Sequence, residues 1–525
     1  MKLHRTMITL LILILNILCF AQFAGGSGTV EDPYLIETAE QLNQVRNYMT
    51  SSFKQIADID LGVPPWNENG GWPAIGYYDP WNNSTSFSGN FDGNNFMIEN
   101  LMRDTLSTSW AGLFGSTRGC LLKNINLINF HIEAVGSTLG GLTGISHNDT
   151  WSNINAEGTI KGDSDMGLLS SFFEGYNIKN CHVKGEIIST GGWVGGLVGM
   201  CNADSIMNCS AEIKISSYDY CTGGLIGQCI DSEVIENCYA TANITVTDGY
   251  SFGGFIGSVS TVNRSLTISN SYSKGLVSVE TDSASERTGG FIGSMSGYSP
   301  DFINVINCFS TVDVIGNSRV GGFIGRPYQY ANIENCYSTG NVTGNDNVGG
   351  FIGFIEYPET VTVANSYWDM ETSGIDSSAA GEGRTTAEMT LPYYSNTYVD
   401  WDFGNVWADD IYNMNGGYPM LKWACGIEED EDCFVAGDRG FELYQNYPNP
   451  FNPLTQIKFV LDKTSEVKLS VYNVKAQKIS ELASGVMNAG KHIIEFNGEN
   501  LNSGVYYCII KVDGKMQSKR MLLVK

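Results

Sequence analysis

Short apolar segments separated by glycine and asparagine recur along most of the chain. One segment is a pentad of the form Gly-Gly-Leu/Phe-X-Gly, in which X is Thr, Val or Ile, and the other joins Asn to Cys or Ser and, in most units, an aromatic residue. Apolar stretches this short, bounded by turn-forming residues, predict β-strands rather than helices. The pentads begin at residues 140, 195, 223, 253, 289, 321 and 349, with a degenerate Met-Gly-Leu-Leu-Ser at 166.

Two motifs that keep step over more than two hundred residues indicate internal repeats. One unit of roughly 28–30 residues cannot bury a core by itself, so the units are expected to stack as coils of a parallel β-helix. Neighbouring coils would then lie about 4.8 Å apart. The pentad glycines would permit tight corners or positive φ, and the apolar residues between them would fill the interior.

The asparagines of the second motif are expected to form a ladder. They stand at the same place in each unit, where stacked amides would satisfy the backbone of a turn. They occupy positions 180, 208, 237, 270, 307, 335 and 365.

Five cysteines share the position after this asparagine, although the chain has 13 cysteines in all. Stacked side chains one strand apart are too far separated for good disulfide geometry, and a free cysteine is a suitable small core residue. We therefore expect a buried ladder of free thiols, while a Cys425–Cys433 loop disulfide stays an open alternative. The ladder residues are Cys181, Cys209, Cys238, Cys308 and Cys336.

The net charge and the N-terminal sequence restrict the cellular location of the protein and the class of partner that it can bind. The net charge is −26, and the acidic excess lies before residue 441, which makes nucleic acid an improbable partner. Lys2 and Arg5 precede an apolar run that ends at Phe20, a pattern typical of a secretory signal over residues 1–21. No second apolar run follows, so we expect no transmembrane segment in the mature chain.

The sequence contains no catalytic constellation that stands out. It has no His-Glu-x-x-His zinc motif, and its histidines are widely spaced. We therefore expect no enzymatic activity, no cofactor and no metal site. One aromatic patch in a segment rich in Pro, Gly and Asn could stack on sugar rings, or it could cover the first coils. Its members are Trp66, Trp72, Tyr77, Tyr78 and Trp81.

The pentads followed by Asn-Cys/Ser-Tyr resemble the GLUG repeat of bacterial surface proteins. Similar flanking motifs, such as WPAIG at 72, AGLFG at 111 and SYWDMETSG at 366, extend the resemblance over roughly 25 to 424. Some proteins with these repeats are large adhesins, and others adjoin immunoglobulin-cleaving metallopeptidases. The resemblance implies a right-handed β-helix at a cell surface and does not imply one activity.

The C-terminal segment has alternating apolar strands that suggest a small antiparallel β-sandwich. It resembles the type A sorting domain of the type IX secretion system, which implies the secretion machinery as a partner. It also implies an extracellular or outer-membrane surface location in a Gram-negative bacterium. The residues that carry this resemblance are Tyr447, Pro448, Asn449, Pro450, Phe451, Asn452, Pro453, Gly504, Val505, Tyr506 and Lys525.

The expected protein is thus an all-β chain that acts as a surface-attached adhesin or binding protein for a glycan or protein ligand. The alternative is a polysaccharide-binding or polysaccharide-degrading protein on the same scaffold. The predicted divisions are a signal peptide (1–21), an N-terminal cap with first coils (22–110), GLUG-type repeats (111–374), a C-terminal cap (375–424), an acidic linker (425–440) and the sorting domain (441–525).

Overall fold

A computed structural model shows two compact units, which divide between Leu421 and Lys422. The first is a parallel β-solenoid of about nine turns, and the second contains antiparallel sheets, so the all-β prediction is confirmed. The structure describes residues 22–79, 85–105, 110–135, 138–163, 165–218, 220–280, 286–410, 413–425, 441–444, 446, 449, 451–461, 463–473, 477–488, 490–501, 503–512 and 515–525. The predicted signal peptide lies outside these residues.

A short helix and narrow strands begin the solenoid. Thr38 caps the helix, because its side chain accepts a hydrogen bond from the Gln41 N–H. The Gln41 side chain in turn accepts from the Glu37 N–H at 2.7 Å, one residue earlier than a regular capping box. The elements are β1 Tyr34–Ile36, α1 Ala39–Gln44, β2 Ser52–Gln55, β3 Ile59–Asp60, β4 Asn90–Asp92, β5 Met97–Glu99 and β6 Met102–Thr105.

The repeats form parallel strands that pair from coil to coil. The strands are β7 Trp110–Ala111, β8 Phe114–Arg118, β9 Leu121–Ala134, β10 Thr138–Gly140, β11 Thr143–Gly162, β12 Met166–Gly167, β13 Ser170–Ser189, β14 Trp193–Gly195, β15 Val198–Met207, β16 Ser210–Ser217, β17 Cys221–Gly223, β18 Ile226–Ile230, β19 Val234–Glu236, β20 Tyr239–Val246, β21 Ser251–Gly253, β22 Ile256–Ser260, β23 Leu266–Ser269, β24 Tyr272–Val279, β25 Arg287–Gly289, β26 Ile292–Ser296, β27 Ile303–Ile306, β28 Phe309–Ile315, β29 Ser318–Gly321, β30 Ile324–Gln329, β31 Ala331–Glu334, β32 Tyr337–Ser338, β33 Val342–Thr343, β34 Asp346–Gly349, β35 Val361–Ala364, β36 Tyr367–Asp369 and β37 Glu382–Arg384.

The pentads set the register of these coils. Gly223 pairs with Gly253, and Gly253 pairs with Gly289, so equivalent pentad residues lie side by side. The degenerate coil keeps the same register, because Gly167 pairs with Gly195. Within a coil, side chains alternate between core and surface, as the buried Ile244 and the exposed Thr245 of β20 show.

The pentad glycines permit close approach of backbones. A Cβ atom on Gly254 would lie 2.2 Å from the Gly290 carbonyl oxygen of the next coil, and one on Gly257 would lie 2.6 Å from the Gly227 carbonyl oxygen. The motif asparagines supply the left-handed backbone instead, with φ of 54° at Asn237. The sequence left two roles open for the pentad glycines, close packing and positive φ. The structure shows that these residues serve close packing.

Asparagine side chains bridge successive coils at the N-terminal end of the predicted ladder, whereas Asn270 donates to Glu236 at 3.3 Å instead. Their amide Nδ2 groups donate to the Oδ1 atom of the asparagine one coil earlier at 2.9–3.1 Å. The bonded pairs are Asn153 with Asn124, Asn180 with Asn153, and Asn208 with Asn180.

The five ladder cysteines are buried and free of disulfides. Each thiol donates to the carbonyl two residues earlier, as Cys238 does to Glu236 at 3.2 Å. Cys238 Sγ also accepts the Cys209 N–H at 3.4 Å, and Ser271 takes the same role for the Cys238 N–H at 3.1 Å. Burial raises the pKa of the Cys238 thiol well above its usual range, which keeps the donor protonated. The position therefore requires a small side chain that both donates and accepts, and both Cys and Ser meet that requirement.

The segment that follows the last repeat packs along the outer face of the final coils. It contains α2 Met370–Ser373, α3 Thr386–Met389, β38 Trp407–Ala408 and β39 Met420–Leu421. Trp407 lies against Phe309 and Tyr337 at ring-centroid distances of 6.3 and 6.0 Å, and the Tyr337 hydroxyl donates to the Pro419 carbonyl at 2.7 Å. This segment therefore covers a side of the solenoid across several coils.

The second unit consists of two antiparallel sheets. The strands are β40 Phe441–Leu443, β41 Leu454–Leu461, β42 Ser465–Asn473, β43 Lys478–Met487, β44 Gly490–Asn497, β45 Gly504–Val512 and β46 Lys515–Leu523. One sheet has the order β40-β41-β44 and the other β43-β42-β45-β46. Phe459 of the first sheet and Leu469 and Ile510 of the second belong to one buried core, as expected for a sandwich. Among the residues described above, no helix is long and apolar enough to cross a membrane.

Candidate binding surfaces

The aromatic patch predicted near the N-terminal end does not form one surface. Trp72 is completely buried and its indole Nε1 donates to the Leu113 carbonyl at 3.1 Å, so neither ring face can receive a sugar. Trp66 is partly buried and packs 5.4 Å from Trp72. These two rings cover the first coils, which is the alternative that the sequence left open.

Tyr77 and Tyr78 lie outside that packing. Tyr77 is 52% exposed, and its ring centroid is 6.4 Å from that of Trp110. Tyr78 lies 5.4 Å from the ring of His147, which pairs with Glu174 at 2.9 Å. Trp81 lies outside the described residues, so its part of the predicted patch stays a prediction.

Acidic side chains in the degenerate coil serve separate partners. Asp165 accepts a hydrogen bond from the Trp193 N–H at 3.0 Å, and burial raises the pKa of its carboxyl. The Glu174 carboxylate pairs with the His147 ring. Within the described ranges, no group of three or more His, Cys, Asp or Glu side chains could hold a metal ion.

A shallow depression of about 240 Å³ lies on the outer face formed by β11, β13, β16 and β20. The depression lies beside the first ring of a row of stacked aromatic rings, which runs from Tyr239 through Tyr272 to Phe309. In the coil before Tyr239, the residue at the same register position is Ser210, so the row stops there. The rings in this row are nearly parallel, with centroids 4.9–5.0 Å apart. The polar lining residues are Asn155, Glu157, His182, Lys184, Ser210 and Glu212.

A second row of aromatic rings stands at the corner where the pentad strands begin, with Trp193 as the first residue of β14 and with Tyr220 and Tyr250 directly before β17 and β21. Trp193, Tyr220 and Tyr250 come from three successive coils, and their ring centroids are 5.9 and 6.3 Å apart. Tyr220 and Tyr250 are 47% and 46% exposed, and Trp193 is half-buried. We call these three residues the corner row.

Sequence reasoning did not find the corner row. A signal was nevertheless present, because each of its aromatic residues stands two or three positions before a Gly-Gly pair. Aligning the repeats on their pentads would have placed the three rings next to one another.

The sorting-motif residues converge at one edge of the C-terminal unit. Asn449 Oδ1 accepts the Leu522 N–H at 2.7 Å, and the Val524 N–H donates to the Phe451 carbonyl at 3.0 Å. The Lys525 N–H donates to Ser503 at 3.0 Å. Tyr447, Pro448 and Pro450 lie outside the described residues. The first and last parts of the sorting motif are far apart in sequence, and hydrogen bonds to the last strand hold them together.

Comparisons with known proteins agree with these two parts. A family model described as the GLUG motif matches residues 218–247 and 316–343, and one described as a secretion system C-terminal sorting domain matches residues 445–525. A Gly-rich membrane protein of Evansella cellulosilytica is 37% identical over 127 residues, 23% of this chain and 14% of that protein. Halomucin of Haloquadratum walsbyi is 32% identical over 152 residues, 27% of this chain and 2% of halomucin.

The chain spans only a small part of the length of these two relatives. Among solved structures, an IgA1 protease matches 67% of this chain and 23% of its own, at 17% identity and a TM-score of 0.38. The type IX sorting domain indicates export to the cell surface or the extracellular space. The chain therefore carries GLUG repeats on a parallel β-solenoid, followed by a C-terminal sorting domain of the type IX secretion system.

Proposed function

We propose that this exported protein is a binding protein of a Gram-negative cell surface, that residues 1–21 are its signal peptide, and that the solenoid holds a polysaccharide without altering it. The observation that carries the ligand class is the corner row. Exposed aromatic rings in contiguous patches mark interaction sites, and a ring that is apolar on its faces can stack on the apolar face of a sugar.

The repeat geometry supports an extended ligand. Trp193, Tyr220 and Tyr250 come from consecutive coils, so their rings form a line that crosses the coils, with Trp193 one register position beyond the two tyrosines. A chain of sugar rings laid along that line would meet one aromatic ring at every coil. This arrangement suits a linear polymer better than a single small molecule.

The depression beside Tyr239 offers a shorter site. Its lining combines one aromatic ring with carboxylate, amine and imidazole groups. It is shallow, and the C-terminal segment covers the aromatic stack beside it at Phe309. We therefore place the main binding surface at the corner row.

Affinity electrophoresis through gels that contain plant, algal or bacterial polysaccharides tests the proposal. The protein should be retarded by at least one polysaccharide, and the double variant Tyr220→Ala/Tyr250→Ala should bind it about thirtyfold more weakly, since each ring contributes about 1 kcal/mol. The control is Tyr176→Ala/Tyr298→Ala, which removes two tyrosines of similar exposure, 52% and 47%, elsewhere. It should migrate as the unaltered protein does.

Two results would contradict the proposal. Absence of retardation by every polysaccharide would favour a protein ligand instead. Recovery of shortened polysaccharide chains after incubation would show that the scaffold is an enzyme.

A further inference from the structure

Three arginines gather where the corner row ends. The Arg287 N–H donates to the Tyr250 carbonyl at 2.8 Å and Arg287 pairs in register with Ser251, so Arg287 lies in the coil after Tyr250, one position further along its strand. Thr288 pairs with Val320, which places Arg287 and Arg319 one coil apart, at about 4.8 Å between strands. Each of these two arginines is followed directly by a buried residue of its strand, Thr288 or Val320.

The third arginine reaches the same place from the strand after the pentad. A Cβ atom on Gly325 would lie 2.7 Å from the Thr288 nitrogen and 2.9 Å from the Arg319 carbonyl oxygen. Arg326, the next residue, is therefore close to the other two arginines. We call Arg287, Arg319 and Arg326 the arginine cluster.

Glu356 pairs with the cluster, at 3.7 Å from Arg326 Nη1. Glu286, which directly precedes Arg287, instead accepts a hydrogen bond from the Asn317 N–H at 3.0 Å. Aromatic rings hold the other sides, since Arg326 lies 4.8 Å from the ring of Tyr328 and Arg319 lies 5.8 Å from that of Phe354. Within the described residues, the Nε atoms of Arg287 and Arg326 are buried and have no hydrogen-bond partner.

Burial and the neighbouring positive charges lower the pKa of two arginines of the cluster. Burial, together with the neighbouring Arg287, lowers the pKa of Arg326 to about 10. Burial and Arg319 likewise lower the pKa of Arg287. A lowered pKa in a base means that the folded protein disfavours its charged form, so the charge at neutral pH works against the fold. A bound anion would remove that cost.

We propose that the arginine cluster is a subsite for the carboxylate or sulfate groups of an acidic polysaccharide whose sugar rings lie on the corner row. Guanidinium groups match the planar fork of carboxylates and bind sulfate-like oxygens through paired hydrogen bonds. The surrounding protein is acidic, with a net charge of −26, so a polyanion would be repelled elsewhere and held here. This inference rests on the proposed polysaccharide-binding function and specifies its ligand.

Binding to three purified polymers tests the subsite: polygalacturonate for carboxylate, carrageenan for sulfate and laminarin as a neutral glucan. The unaltered protein should bind one of the two acidic polymers at least tenfold more tightly than laminarin in low salt. Arg287→Gln/Arg326→Gln should weaken that binding about a hundredfold and leave binding to laminarin unchanged. Arg326→Lys, which keeps the charge but loses the fork, should be intermediate.

The matched control removes the same two charges from another face. Lys161→Gln/Lys214→Gln changes two exposed lysines that pair with Glu133 and Glu186. Its binding to the acidic polymer should stay within twofold of the unaltered protein. An equal loss in this control would show general charge attraction and would overturn the subsite.

A second measurement needs no variant. The acidic polymer should raise the thermal midpoint of the unaltered protein by several degrees more than laminarin does. Tight binding of laminarin without a preference for acidic polymers would overturn the subsite and leave the proposed function intact. Binding to none of the three polymers, nor to any other polysaccharide, would overturn both.

Discussion

Removal of residues 441–525 is expected to abolish surface display and leave the solenoid in the periplasm. The sorting domain is a compact unit with its own core, so its removal does not take away residues that fill the solenoid. The truncated chain should therefore fold and yet lack the part that the secretion machinery recognises. Surface labelling with an antibody, combined with cell fractionation in the organism that makes the protein, measures this outcome.

A fusion provides the control for this deletion. Residues 441–525 attached to an unrelated fluorescent protein, with residues 1–21 in front, should carry that protein to the cell surface. Normal surface display of the truncated chain would contradict the sorting assignment. So would retention of the fusion in the periplasm when its fluorescence shows that it is folded.

The second large effect is expected from Gly254→Ala in the pentad at 253–257. The new methyl group would lie 2.2 Å from the Gly290 carbonyl oxygen and 2.8 Å from Val312 Cγ2. Since the first of these is backbone, two coils must separate, and the loss of stability should be about 3 kcal/mol, at the upper end for overpacked sites. Thermal unfolding followed by circular dichroism should show a midpoint lowered by roughly 5–10 °C.

Gly404→Ala is the matched control, because among the described residues its added methyl group meets only the side chain of Asp402, at 3.1 Å. That carboxylate accepts two hydrogen bonds from Asn405, but a side chain can shift slightly where backbone cannot, so the midpoint should shift by about 1 °C or less, as surface substitutions generally do. Equal effects of the two substitutions would contradict the view that pentad glycines are required for backbone contact between coils.

The pentads made the coil register predictable from sequence. Gly223 and Gly253 are separated by loops of variable length, yet both sit in a repeated pattern, and that pattern is sufficient to align their strands. The Asn208–Asn180 bond of the asparagine ladder followed from the same alignment. The hydrogen-bonding role of Cys238 did not, because it depends on where the Cys209 N–H points after the left-handed turn at Asn208.

The binding surfaces were harder to predict. The residues around Trp72 have a composition typical of an exposed loop, but the fold brings Leu113 and the first coils over the Trp72 ring. Tyr220 and Tyr250 become neighbours only when the coils stack, and they lie in the loops whose length varies between repeats. The arginine cluster arises in the same way, since its members come from three separate strands. Sites formed by stacking across coils carry no local motif.

Hydroxyl-radical footprinting of the protein, free and saturated with the polysaccharide that retards it most, shows whether the solenoid binds a polysaccharide along its corner row. We expect Trp193, Tyr220 and Tyr250 to become protected on binding, while Tyr176 and Tyr298, which are similarly exposed tyrosines on other parts of the solenoid, react as before. Protection confined to other residues, with the corner row unchanged, would contradict this expectation.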